Sequence, residues 1–339
     1  MGGIIFRARD LHTHTSEIVG YKSGLALNED ELKSHVPGHL VEIFSTPPDS
    51  ILRIRSEEME ELIAGILYKL GTIPHPDIIP ANIRLFHKVK DSPRLLAAYT
   101  DIMHQYIVFM EKAIDAAKKS GTKKLNPTPF VEEAERLHGT IGMGMALDLM
   151  MGLNTDQLRS PWTRMRQTEW KDTTELKELF KSESLATMHG SFFDQRFIDY
   201  LSRNFPAIDS INWRKFEALA CEFFEKEGWY VEIGPGRNDD GVDARVWPTK
   251  EDNALPPTIL IQCKRQKEKV SKVVVKALYA DILEENAQSG LIVTTSTLSP
   301  GAESTRKARI YPVESVDRQT VKKWIERMRT PQTGIFLSE

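Results

Sequence analysis

Apolar positions recur at helical spacing through the first half of the chain. Met59, Leu62, Ile63, Ile66, Leu67 and Leu70 fall three and four residues apart and predict a helix over 57–70, stopped by Gly71. The same period predicts long helices over 93–119, ended by Gly121, and over 129–153, introduced by Pro127 and Pro129. Their expected apolar faces carry Met103, Ile107, Met110 and Ile114, then Met145, Leu147, Met150 and Met151, with the methionines as flexible core filler. Residues 161–172 are polar and lack a period. Short helices over 174–181 and 192–202 follow.

Past residue 205 the pattern changes. A helix over 213–227 places Phe216, Leu219, Ala220, Phe223 and Phe224 on one face and ends at Gly228. Short β-branched and aliphatic runs predict strands over 229–233, 242–247, 258–266 and 291–295. The turn sequence GPGRNDDG and the loop KEDNALPP separate the first three. Helices over 270–287 and 319–328 complete an alternation of helices and strands. The expected organisation is a mainly helical domain over 1–190, a connecting helix over 191–204, an α/β domain over 205–330 and a tail over 331–339.

Composition narrows the picture. At 339 residues, 40% hydrophobic and 27% charged, the chain has material for two folded domains. A net charge of −3 excludes a polycation, so any nucleic-acid contact must use a local patch. Cys221 and Cys263 stand in no zinc-ligand spacing, which speaks against a disulfide framework or structural zinc and for a reducing, cytoplasmic setting. The start, MGGIIFRARD, has no small-residue cleavage site, and Phe6 stands where N-myristoylation needs Ser or Thr. The apolar run 141–153 carries Asp148 and is too short to span a bilayer, so no membrane association is expected.

Chemistry enters with TILIQCKRQ, residues 258–266. Strand alternation puts Leu260, Gln262 and Lys264 on one face and Ile259, Ile261 and Cys263 on the other. Upstream, Asp243 opens a strand after a tight turn, and Glu217 lies on the preceding helix. A hard divalent cation takes oxygen ligands. Asp243 would supply a carboxylate, Gln262 its amide oxygen and Cys263 its main-chain carbonyl to Mg²⁺, with Mn²⁺ as a substitute. Glu217 would hold a second cation or a water, and Asp240 is the fallback ligand in the turn. Lys264 would orient the attacking water and offset charge in a phosphoryl transition state. Each residue also has an ordinary role open to it: a turn cap for Asp243, an exposed helix position for Glu217, a solvated strand end for Lys264.

The order of these segments tips the balance. FEALACEFFEKEGWYVE, NDDGVDARV, ILIQCKRQ and GLIVTTSTLSPGA together resemble the Mrr-like restriction endonuclease domain of the PD-(D/E)XK nuclease superfamily, over about 213–328. The resemblance implies a restriction-endonuclease-like fold, a central mixed sheet flanked by helices. It also implies an active site of Glu217, Asp243, Gln262 and Lys264. The superfamily's usual acidic residue is Gln262 here, as in many Mrr-like members, which removes one carboxylate from the metal site. The function implied is a Mg²⁺-dependent DNA endonuclease of bacterial restriction or antiphage defence. The helical domain would act in targeting, regulation or oligomerisation, with an activating partner or ligand among its roles. Cleavage of both strands calls for two active sites and so a homodimer or higher assembly. The alternative is a protein that holds nucleic acid or a partner on a degenerate nuclease fold.

Basic residues flank the set. Arg265, Lys267, Lys269, Lys272 and Lys276, then Arg306, Lys307 and Arg309, are expected to contact phosphates. All nine histidines lie at or before His189, so the second domain cannot use histidine-based nuclease chemistry. DLHTHTSE, residues 10–17, resembles the opening motif of PHP-type phosphoesterases. That family needs a complete α/β barrel, so His12 and His14 are expected on a polar strand end without metal.

Overall fold

A computed structural model describes residues 3–121, 124–237, 241–329 and 335–336. The chain divides into two compact units, Met1–Thr174 with Pro331–Glu339, and Glu175–Thr330.

In the first unit, β1 (Gly3–Arg7) leads into α1 (Ala8–Ser23), and β1 pairs antiparallel with β2 (Ile51–Arg55), Gly3 opposite Arg55. Then come α2 (Ser56–Lys69), α3 (Ala81–Val89), α4 (Pro93–Ser120) and α5 (Thr128–Arg159). Ser92 caps α4, with Pro93 at its first position, and Gly121 ends it in the left-handed region at φ 69°. Gly139, at φ 61° and ψ −148°, breaks α5 into two arms, a conformation open to glycine. Ile102, Phe130, Ala134, Ala146 and Leu149 form the core between α4 and α5.

The C-terminal end of α5 is fixed by a buried cation. Arg159, 2% exposed, pairs with Glu60 at 2.8 Å and Asp156 at 2.9 Å. It also donates to the carbonyls of Asp77 and Ile78 at 2.9 and 2.8 Å. A guanidinium is tolerated there because its fork of donors is met by two carboxylates and two carbonyls.

Three expectations for this unit are corrected. DLHTHTSE is helical: Ala8, Leu11, Thr15, Val19 and Lys22 form the buried stripe of α1, and the polar members disguise its period. His12 stacks on Phe44 at 4.4 Å and 10°, whereas His14 sits beside Phe6 at 5.9 Å. Two residues apart on a helix, they face different ways and cannot share a metal. The apolar faces are also narrower than expected, with Ile107, Leu147 and Met151 exposed. Each follows a buried or half-buried residue (Tyr106, Ala146, Met150) by one position, a rotation of about 100° off the stripe.

The third correction is the boundary, which falls between Thr174 and Glu175 rather than near 190. Side chains and amides bind residues 179–193 to the second unit. Asn212 N–H donates to the Leu179 carbonyl at 2.9 Å, and Lys215 Nζ donates to the Ser184 carbonyl. Glu222 Oε2 accepts from the amides of Ser191, Phe192 and Phe193 at 2.9, 2.7 and 3.1 Å. Of the helix expected over 174–181, only Glu178–Lys181 is helical. In the expected tail, Ile335–Phe336 pairs with Lys124–Leu125 of the first unit, and its other residues lie outside the described ones.

The second unit runs α6 (Gln195–Arg203), α7 (Trp213–Lys226), β3 (Tyr230–Ile233), β4 (Ala244–Trp247) and β5 (Ile259–Lys264). It continues with α8 (Lys272–Glu284), β6 (Ser289–Thr294), α9 (Pro300–Ala308), β7 (Val313–Val316) and α10 (Arg318–Met328). The five strands form one mixed sheet in the order β7-β6-β5-β4-β3. The first three are mutually parallel, and β5–β4 and β4–β3 are antiparallel. Leu260, Ile292 and Val313 join Val275, Leu278, Ile282 and Ala302 of α8 and α9 in one core. Burying each of the larger side chains contributes roughly 1.5–3 kcal/mol. Phe223 of α7 stacks on Trp324 of α10 at 4.0 Å and 5°, which joins those two helices. This is a restriction-endonuclease-like fold, with β5 as its middle strand.

Candidate active site

β5, the middle strand of the sheet, carries Gln262 and Lys264. Its first half, Leu260 and Ile261, is fully buried and anchors the strand. Its last residues run past β4, whose pairing begins at Ala244 opposite Ile261. Asp243 therefore stands just before β4, level with Gln262.

The backbone of Asp243 is held twice. Its N–H donates to the Ile261 carbonyl at 2.8 Å, and its carbonyl accepts from Gly234 N–H at 2.8 Å. Its carboxylate Oδ2 accepts from Cys263 N–H at 2.5 Å. The N–H and C=O of one strand residue point to the same side, so the Cys263 carbonyl is also aimed toward the β4 side, where Asp243 stands.

Glu217 of α7 meets Asp243 from the helix. Both are buried, at 6% and 7% exposure, and their carboxyl groups share a hydrogen bond. Burial pushes the Glu217 carboxyl up to about 8, and the charge of Asp243 adds to the rise. The opposing influence is Arg214, whose Nη1 donates to Glu217 Oε2 at 2.7 Å while Nη2 donates to the Gly234 carbonyl at 2.6 Å. Two buried carboxylates in contact cannot both ionise cheaply, so in the metal-free chain the pair holds a proton.

Gln262 is the third member, 5% exposed. Its Nε2 lies 2.8 Å from where a Cβ on Gly241 would stand, and Gly241 has φ +94°. Glycine there serves both the turn and the amide. Gln262 Oε1 is buried without a hydrogen-bond partner. Such an orphaned acceptor costs about 1–3 kcal/mol. Lys264 follows on the same face, half-buried, its carbonyl held by the Thr294 hydroxyl at 2.7 Å.

This donor set fits a hard divalent cation. Two crowded carboxyl groups, an unpartnered amide oxygen and a main-chain carbonyl make a surplus of oxygen acceptors. Among the described residues no three His, Cys, Asp or Glu side chains cluster as metal ligands. The thiols of Cys221 and Cys263 are pushed up by burial and by the neighbouring carboxylates, so neither offers a thiolate. Asp240 lies outside the described residues.

Residues 208–325 match a family model described as a restriction endonuclease, Mrr_cat. This segment is an Mrr-like restriction endonuclease domain. An uncharacterised protein of Sinorhizobium fredii (strain NBRC 101917 / NGR234), y4cE, is 30% identical over 95 residues, 28% of this chain. The match spans 24% of that relative's length. A solved structure, the MspJI restriction endonuclease in complex with a 27-mer oligonucleotide, aligns over 59% of this chain and 45% of its own. Its identity is 19% and its TM-score 0.27.

Within the Mrr-like domain, the expected phosphate contacts fall into two groups. Lys267, Lys269, Lys272 and Lys276 are exposed, and among the described residues no carboxylate pairs with them. Arg265 is half-buried, with Nη1 donating to the Asp209 carbonyl at 2.7 Å. On α9, Arg306 is held by Glu303 at 2.9 Å and Glu314 at 2.8 Å, and Lys307 pairs with Glu303 at 3.0 Å. Arg309 donates to the Tyr311 hydroxyl at 3.0 Å.

Two parts of the site escaped the sequence reading. Arg214 stands one helical turn before Glu217, and R-x-x-E was the available signal. The second is the run Thr294–Ser296 at the end of β6. Its hydroxyls bind the chain leaving β5: Thr294 to the Lys264 carbonyl, Thr295 to the Gln266 carbonyl at 3.0 Å, and Ser296 to the Lys267 carbonyl at 3.1 Å.

Proposed function

We propose that the Mrr-like domain is a divalent-cation-dependent DNA endonuclease whose active site is Glu217, Asp243, Gln262 and Lys264. The observation that carries this reading is the buried Glu217–Asp243 carboxyl pair beside the unpartnered oxygen of Gln262. No folding role explains that arrangement, which costs stability.

Asp243, Gln262 and the Cys263 carbonyl would hold Mg²⁺ or Mn²⁺, with Glu217 completing the set directly or through water. When bound, such a cation supplies Lewis-acid polarisation of the scissile phosphate and a lowered pKa for a coordinated water. Lys264 places a positive charge where the transition state gains negative charge, and it orients the attacking water. Arg214 keeps Glu217 turned toward Asp243. Gly241 leaves room for the Gln262 amide.

The wider biology we propose is restriction or antiphage defence. The first unit would serve targeting, gating or assembly, an activating partner or ligand acting there, and two copies would supply the two cuts of a duplex. The test is cleavage of plasmid and linear DNA, modified and unmodified, with Mg²⁺ or Mn²⁺, by wild type, Asp243→Ala and Lys264→Ala. Cleavage lost in both variants supports the endonuclease. Equal behaviour of all three, with duplex binding intact, would establish the non-cleaving binding protein instead.

A further inference from the structure

A crevice of about 390 Å³ opens in the second unit beside Lys267, Thr295, Ser296, Thr297, Arg318 and Gln319. It lies at the carboxyl ends of β5, β6 and β7, the end of a parallel sheet where α/β proteins receive ligands. One wall is the segment that leaves β5 after Lys264. That segment has no regular secondary structure as far as Lys269, yet it is fixed in place. Gln266 N–H donates to the Thr295 hydroxyl at 3.0 Å, and that hydroxyl donates to the Gln266 carbonyl at 3.0 Å. Ser296 Oγ holds the Lys267 carbonyl, and Val270 N–H donates to the Thr297 carbonyl at 2.9 Å. The result is a rigid rim that carries the exposed ammonium of Lys267.

The unpartnered charge at the crevice is positive. Asp209 and Asp317 also line it, but each is occupied. Asp209 pairs with Arg318, and its own carbonyl accepts from Arg265. Asp317 caps α10, accepting from the Thr320 N–H and hydroxyl at 2.9 and 2.8 Å. Arg318 lies 5.0 Å over the ring of Phe205, and Lys322 lies 6.0 Å from the same ring. The lining thus carries two cations, Lys267 and Arg318, and two carboxylates, and Lys267 is the cation whose charged group has no ion-pair partner among the described residues. Thr297 and Gln319 are exposed and offer neutral donors.

We infer that this crevice seats a backbone phosphate of a DNA strand whose scissile bond lies at Lys264. The inference rests on the endonuclease reading. Lys267 is three positions after Lys264, so their Cα atoms are at most about 11 Å apart. DNA advances about 3.4 Å per nucleotide along its axis, so the two backbone positions span roughly three nucleotides and the phosphate lies close to the bond. The contact is made by Lys267 and Gln319, with Arg318 held in place behind them by Asp209. The basic side chains of α9 have protein partners and contribute little.

The experiment is fluorescence anisotropy of a labelled duplex in EDTA, over a fourfold range of salt, using the full chain. Each phosphate contact contributes about 0.9 to the slope of log affinity against log salt, roughly 3.5-fold over that range. Lys267→Ala should flatten the slope by about one contact. Gln319→Ala should weaken binding severalfold without changing the slope, and Arg309→Ala should leave both unchanged. A Lys267→Ala slope equal to wild type, or a larger loss in Arg309→Ala, would overturn the assignment. So would failure of wild type to bind duplex, or tighter binding of an RNA of equal length. Cleavage by Asp243→Asn separates the two readings. If it cuts DNA like wild type, the active-site reading fails. If it is inactive while Lys267→Ala binds with an unaltered slope, the crevice alone is wrong.

Discussion

Glutamine at position 217 should make the metal-free protein more stable in alkali. Burial, aided by Asp243, pushes the Glu217 carboxyl from its ordinary 4.5 up to about 8. A carboxyl whose pKa is raised on folding binds its proton more tightly in the folded chain. Its favourable contribution is complete below about 4.5 and is lost as pH rises toward and through about 8. At about 1.4 kcal/mol per unit, the shift sets an upper bound of roughly 5 kcal/mol between pH 4.5 and pH 9. Part of that belongs to Asp243, because the two groups titrate together. For a unit of this size 1 kcal/mol moves Tm by about 2–4 °C, so the fall is up to about 10–20 °C. Glu217→Gln can keep both contacts, its oxygen accepting from Arg214 and its amide donating to Asp243. It should therefore melt near wild type at pH 5 and well above it at pH 9. The assay is thermal unfolding in EDTA from pH 5 to 9, with Asp243→Asn as a second variant. Parallel Tm–pH curves for wild type and both variants would refute the shared-proton argument.

Other expectations follow from the same geometry. Gly241→Ala puts a methyl group 2.8 Å from Gln262 Nε2 at φ +94°, so it should cost about 1–3 kcal/mol by urea unfolding and sharply reduce cleavage. Unchanged stability and activity would show that the turn has room to spare. Gln262→Glu restores a third acidic side chain, so Mn²⁺ should raise its Tm more than that of wild type, and an equal rise would exclude Gln262 as a ligand. Glu60→Leu leaves the buried Arg159 without one of its two carboxylates and should destabilise the first unit by about 3–5 kcal/mol. A urea midpoint equal to wild type would mean that Asp156 and the carbonyls suffice.

How far the fold could be read in advance depended on how local its causes were. The strands and helices over 213–328 were legible because their apolar runs are short, clean and bounded by glycine or polar turns. The four proposed site residues were singled out by their order, through resemblance, rather than by any one spacing. Glu217 illustrates the limit: sequence puts it on a helix, but only packing brings it against Asp243 and raises its affinity for a proton. Likewise the lysines and arginines of α9 look alike in sequence to those after β5. Glu303 and Glu314 decide that Arg306 is held within the protein.

The first half shows the opposite failure. The buried stripe of α1 includes Thr15 and Lys22, so an apolar period could not reveal it, and DLHTHTSE read as a strand. Lys22 can be buried because its ammonium lies near the carbonyls of Gln157 and Met165, more than a hundred residues away. Burial lowers it to about 8, a cost that only tertiary contacts make tolerable. Sequence alone determined the periodic elements and the residue types offered to the proposed site, because periodicity and residue chemistry are properties of neighbours in the chain. Tertiary structure decided which charges are shared, satisfied or left exposed, because electrostatic free energy depends on burial and on partners distant in sequence.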